Sequence, residues 1–181
     1  MNENIFSLVN HEIYLVTTRY NETINGQIAT WIIRATLTST PLRFIFLISK
    51  NNYTYSLIKK SKIFTVQMLS KNQYDLVPIF GLNSGRTINK FENMEYGYTR
   101  HNLPVIKESC GWFECICLKE IDDGDRAIIL ADVVDSFLQP DKKPLRKFEM
   151  MKLVAPEIKE KLEQKTLNDG IRDAKIIKKF R

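Results

Sequence analysis

An antiparallel β-barrel with peripheral helices, followed by a helical carboxy-terminal tail, is the all-β-dominated fold class that this sequence predicts. Three observations carry the prediction. At least six short runs of β-branched, aliphatic and aromatic residues follow one another, two tight-turn dipeptides lie between such runs, and there is no GxGxxG phosphate fingerprint of a parallel doubly wound sheet. A length of 181 residues suits one domain with appendages. The composition is globular, 44% hydrophobic and 27% charged, with too few glycines and prolines for a long disordered region.

The elements follow in order. Residues 12–18, EIYLVTT, make a first strand, and the turn-prone stretch ending in Asn25-Gly26 reads as a hairpin link to a second run, QIATWIIRATL, over residues 27–37. RFIFLIS over 43–49 is a third strand. NNYTYSLIKKSK reads as a short crossover helix capped by Asn52 or Thr54, with Tyr55, Leu57 and Ile58 inward. A fourth strand, KIFTVQML, begins at Lys62. QYDLVPIF over 73–80 predicts a brief helix broken near Pro78, and residues 81–104, polar and glycine-containing, read as a long functional loop. WFECICLKEI and RAIILADVVDSFL are two further strands joined at Asp122-Asp123-Gly124-Asp125 by a tight hairpin. Residues 1–150 are thus expected to form the barrel domain, and 151–181 a basic, helical, mostly solvated extension.

Net charge is +6, with a sequence pI near 9.2, which suits an anionic cofactor as well as nucleic acid or an anionic membrane. The tail has nine basic residues from Lys152 to Arg181, but five acids interrupt them, which argues against nucleic acid. Cys110, Cys115 and Cys117 make neither an even disulfide framework nor a CxxC pair, and His11 and His101 lie far from them, so no metal site is expected. The amino terminus has no basic start followed by an apolar core, and no run approaches the ~18 apolar residues of a membrane span. A soluble, cytoplasmic protein in a reducing compartment is the expectation.

Five pieces in a fixed order resemble the flavin reductase-like family of FMN-binding split barrels. They are NGQIATW from Asn25 to Trp31, Ser49-Lys50 with the helix and strand after it, SGRTINKF from Ser84 to Phe91, the cysteine-containing strand over residues 111–118, and the Gly124-Asp125-Arg126 step. The similarity runs from about Ile13 to Phe137. It implies binding of FMN, or sometimes FAD, a homodimer, and hydride transfer from NADH or NADPH to flavin.

The resemblance assigns roles to residues whose chemistry suits them. Gln27, Ile28, Ala29, Thr30 and Trp31, with Thr36, would hold the isoalloxazine ring through backbone, hydroxyl and apolar contacts. Ser49, Lys50, Thr54 and the helix amino terminus would hold the FMN phosphate. Gln67 stands where the family commonly has asparagine, and its longer amide would reach a flavin edge. Lys90 would meet phosphate, while Phe91 would either shield a flavin face or plug the barrel's own core. Arg126 departs from the family's frequent histidine, a residue associated with placing the nicotinamide. Arginine donates no proton at neutral pH but can meet nicotinamide phosphates or charge on reduced flavin, with Asp125 to orient it. Hydride transfer requires stacked rings and little acid–base help, so no catalytic triad is expected. A non-catalytic FMN electron carrier, reduced by a redox partner protein, is the alternative that Arg126 leaves open.

Overall fold

The computed structural model describes residues 5–180; Arg181, one of the nine basic tail residues, lies outside them. Seven strands form one antiparallel sheet: β1 (Tyr14–Tyr20), β2 (Thr23–Ala29), β3 (Ile32–Arg34), β4 (Arg43–Ser49), β5 (Ile63–Met68), β8 (Gly111–Asp122) and β9 (Arg126–Leu138). Their spatial order is β2-β1-β5-β8-β9-β4-β3. The edges, β2 and β3, are consecutive in the chain with only Thr30 and Trp31 between them. A two-residue link cannot cross a flat seven-stranded sheet whose strands are ~4.8 Å apart, so the sheet must curl until its edges meet. The Leu47 N–H donates to the Trp31 carbonyl (3.1 Å) where the chain passes from one edge to the other. The result is a barrel joined by chain at its seam, which is a split barrel.

The barrel interior follows from period-two patterning. Phe44, Phe46 and Ile48 of β4, Phe64 and Val66 of β5, and Ala127, Ile129 and Ala131 of β9 are buried together in one core cluster. A second core gathers Leu15, Leu69, Val77, Phe80, Phe91, Leu145 and Met150. It lies beneath α2 (Leu76–Leu82) and α3 (Lys147–Leu153), with Leu162 of α4 (Pro156–Phe180) packed against it. The helix α1 (Tyr53–Ser61) packs on β1 and buries Thr54, Tyr55, Leu57 and Ile58.

Three local readings are corrected. Asn25-Gly26 is no turn: Gly26 pairs with Thr17 and Asn25 with Thr18 inside β2. The reversal comes earlier, at Asn21, whose φ of 52° lies in the left-handed region that asparagine tolerates. Gly26 is required by close approach, since a Cβ there would stand 3.0 Å from the Phe80 ring. The run over 27–37 is broken at Thr30-Trp31, where the chain changes edges. Pro78 does not break its helix, because it falls in the first turn of α2, whose N–H groups have no intrahelical partners.

The hairpin at Asp122-Asp123-Gly124-Asp125 is present, with Gly124 at φ 87° and its N–H donating to Asp122 Oδ1 (2.8 Å). The stretch 81–104 completes α2, continues irregularly, and ends in a ribbon of β6 (Tyr96–Tyr98) and β7 (Pro104–Ile106). α3 runs across residue 150, where the barrel domain was expected to end.

A polar cluster fixes that ribbon to the barrel. Gln67 is fully buried; its Nε2 lies 3.1 Å from Thr65 Oγ1 and 3.2 Å from the Pro104 carbonyl, and its Oε1 accepts from the Ile106 N–H (2.7 Å). On β5 it alternates with Phe64 and Val66, so it faces β7. Gln67→Leu would leave the Ile106 N–H and the threonine hydroxyls short of partners, at about 1–3 kcal/mol for each stranded buried group. Urea denaturation should show that loss as a lowered unfolding midpoint.

Candidate functional site

Two adjoining cavities lie at the seam. The larger, about 410 Å³, runs along residues 27–31 and reaches Leu47, Ser49 and Arg126. The smaller, about 190 Å³, lies between the amino-terminal end of α1, the Ser84–Gly85–Arg86 turn and Lys90. Gln27, Ile28, Asn52 and Lys165 border both, so the two form one elongated site.

The larger cavity has apolar walls from Ile28, Ala29, Trp31 and Leu47. At one end the Arg126 guanidinium lies 4.5 Å from the centre of the Trp31 ring, within cation–π reach. The same guanidinium pairs with Asp125 at 3.2 Å and Asp173 at 3.0 Å, so its position is fixed from three sides. Gln27 is only 7% exposed and its Oε1 has no hydrogen-bond partner. A buried acceptor left unsatisfied costs about 1–3 kcal/mol, so this oxygen fits a ligand donor in the cavity.

The smaller cavity is cationic. Lys90 Nζ donates to the Gly26 carbonyl (2.9 Å) and the Phe80 carbonyl (3.2 Å), which leaves one of its three donors. Burial, and secondarily the charge of Lys165, push its pKa down to about 8. Arg86 lies over the Tyr53 ring at 5.0 Å and donates to the Asn51 carbonyl (3.2 Å). Asn52 is the N-cap of α1, and no side-chain hydrogen bond caps that end. Thr54 is buried within the first turn, its hydroxyl accepting from Asn25 Nδ2 at 3.0 Å. A Cβ at Gly85 would overlap the Asn25 amide, so the 84–86 turn is held tightly against β2.

The structure therefore brings Gln27, Ile28, Ala29, Thr30, Trp31, Ser49, Thr54, Lys90 and Arg126 to the two cavities. It does not bring four others there. Lys50 turns away to an ion pair with Asp122 (2.6 Å). The Thr36 hydroxyl accepts from the Arg43 N–H (3.1 Å) in the loop before β4. Gln67 belongs to the polar cluster behind β5. Phe91 is buried between Phe80 and Tyr96, with ring centres 5.2 Å from each, and plugs the second core.

Sequence reasoning missed Arg86, although it stands in the SGRTINKF segment, and Asn52, which it read only as a cap. It also missed Lys165, Thr166, Asp169, Gly170 and Asp173, which α4 lays along the larger cavity. Nothing local signals that the tail folds back there. Burial raises the pKa of all three cysteines, most strongly Cys115, so none is an activated thiolate. Among the described residues, no cluster of His, Cys, Asp and Glu is placed to hold a metal ion, and no helix is long and apolar enough to cross a membrane.

Comparison with known proteins agrees with this architecture. The chain is 26% identical over 147 residues to a ferric-chelate reductase (NAD(P)H) of Archaeoglobus fulgidus, covering 80% of this chain and 86% of that protein. It is 24% identical over 147 residues to a high molecular weight rubredoxin of Moorella thermoacetica, and there it spans only 63% of the relative's length. Among solved structures, an FMN-binding protein from Thermus thermophilus superposes with a TM-score of 0.69 at 22% identity, over 77% of this chain and 78% of that one. The model of the flavin reductase like domain matches residues 6–150, four-fifths of the sequence, and the chain belongs to that family.

Proposed function

We propose that this protein is an NAD(P)H-dependent flavin reductase that binds FMN along the barrel seam and passes hydride from the nicotinamide to the flavin. The observation that carries the reading is the form of the site: an apolar slot with one orphaned buried acceptor, Gln27 Oε1, opening into a pocket with Lys90, Arg86 and an uncapped helix end. Those are the complements of an aromatic ring with one imide N–H and of a phosphate dianion. The family membership and the NAD(P)H-dependent relative support the same reading.

Bound flavin would supply the two-electron acceptor. The chain's own work is positioning. Gln27 would accept from the ring edge, and Ile28, Ala29 and Leu47 would exclude water from the ring faces. Ser49 adds a hydroxyl, and Lys90, Arg86 and the α1 N–H groups would hold the phosphate. Arg126, clamped by Asp125, Asp173 and Trp31, would set a fixed cation for the nicotinamide nucleotide's phosphates or for charge gained by the ring. A homodimer belongs to this reading, with the exposed apolar side chains Phe113, Ile116, Leu118 and Ile121 of β8 available to a second copy.

Three outcomes are expected. In anaerobic solution, the oxidised flavin band of the FMN-loaded protein should bleach on addition of NADH or NADPH, and Arg126→Ala should raise the KM for that nucleotide about tenfold or more. Bleaching only by a reduced partner protein would instead establish the electron carrier. Second, because Lys90 is held near a pKa of about 8, it loses its positive charge as pH rises through that value. FMN affinity should therefore fall between pH 7 and 9 relative to riboflavin, in parallel fluorescence titrations. Third, sedimentation equilibrium should give about twice the 21.2 kDa chain mass; a monomer at micromolar concentration would refute the dimer.

A further inference from the structure

The matched family domain ends at residue 150, yet the tail borders the site. Lys165 is the one tail residue among those lining both cavities. We propose that Lys165 is a phosphate-binding residue, by which α4 becomes part of the flavin site and favours flavins carrying a 5′-phosphate over riboflavin. The proposal rests on the FMN reading above.

Lys90 and Lys165 face the same small pocket from opposite elements, and Arg86 lines it as well. The two ammonium groups are close enough for Lys165 to lower the pKa of Lys90. Among the described residues, no carboxylate side chain lines this pocket. Three cations around about 190 Å³ repel one another, and a dianion between them would turn that repulsion into attraction. Lys90 keeps one donor after serving the Gly26 and Phe80 carbonyls.

Lys165 is also free to change partner. Its Nζ now donates to Asp169 Oδ2 at 2.6 Å, but the other oxygen of that carboxylate accepts from Arg172 at 2.7 Å. Asp169, one helical turn after Lys165, therefore stays paired when Lys165 turns toward a phosphate. Thr166 and Gly170 on the same side of α4 border the ring cavity, so the helix spans from the phosphate end along the slot.

The test is a titration of FMN and of riboflavin into the full-length protein at pH 7 and low salt, followed by quenching of flavin fluorescence. Lys165→Ala should lose about tenfold in FMN affinity with riboflavin affinity unchanged, one charge-assisted bond being of that order. Lys165→Arg should stay within about twofold of wild type, and Lys161→Ala, exposed on the same helix and lining neither cavity, should match wild type for both flavins. Equal FMN affinity in Lys165→Ala and wild type would overturn the role of Lys165 and leave the FMN reading intact. An equal loss for FMN and riboflavin would also overturn it, because α4 would then only cover the ring. Wild-type protein that binds neither flavin would overturn both readings.

Discussion

Everything at the site depends on one constraint, the two-residue link that joins opposite edges of a seven-stranded sheet. Thr30 and Trp31 bring β2 beside β3, but short β3 and the change of direction leave the two edges without a continuous ladder of hydrogen bonds. A seam of this kind exposes backbone and side chains that a closed barrel would pair. Gln27 to Trp31 line the cavity because they are the end of edge strand β2 and the two residues that make the crossing. Barrel closure and the ligand slot are two aspects of the same geometry.

The electrostatics of the chain become local once the fold is known. An excess of six positive charges has little meaning as a total, but Lys90, Arg86, Arg126 and Lys165 all border the two cavities. Their neighbours differ in a useful way. Arg126, in the larger cavity, is paired with Asp173, and Lys165, which borders both cavities, shares Asp169 with Arg172, whereas Lys90 meets two carbonyls and the Phe80 ring and no carboxylate among the described residues. The buried end is thus left electron-poor, which suits a permanent anion. The Arg126 end, with Asp125 and Asp173 already attached to its cation, suits a ligand that comes and goes.

The strands were legible because period-two burial and β-branched content are local properties. Phe44, Phe46 and Ile48 announce their face without reference to anything distant. The Gly124 turn was legible for the same reason. Asn25-Gly26 misled because its composition matches a turn, while its actual role is set by the Phe80 ring, 54 residues on in the numbering. Which lysine is left without a carboxylate and able to meet an anion depends on similar remote facts. Lys50 is taken by Asp122 across the β8–β9 hairpin, and Lys90 is taken by no carboxylate, but neither pairing is written near the residue. The mixed charges of the tail predict a solvated helix, and much of α4 is indeed exposed. The contact of its one inward side with the seam is a tertiary event that no short window contains.

Thr30 and Trp31 also act as a ruler. An ordinary surface loop tolerates insertions because its ends are held by other contacts and extra chain simply bulges into solvent. Here one added residue would offset β3 by a single position along β4, turning outward the side chains that now face inward. The register of an edge strand, the placement of Trp31 beneath Arg126 and the width of the slot are all measured by the same pair of residues. Variation in ligand preference on this scaffold would therefore come from elements that approach the seam from outside, such as the 84–86 turn or α4, while the length of the crossing stays constant.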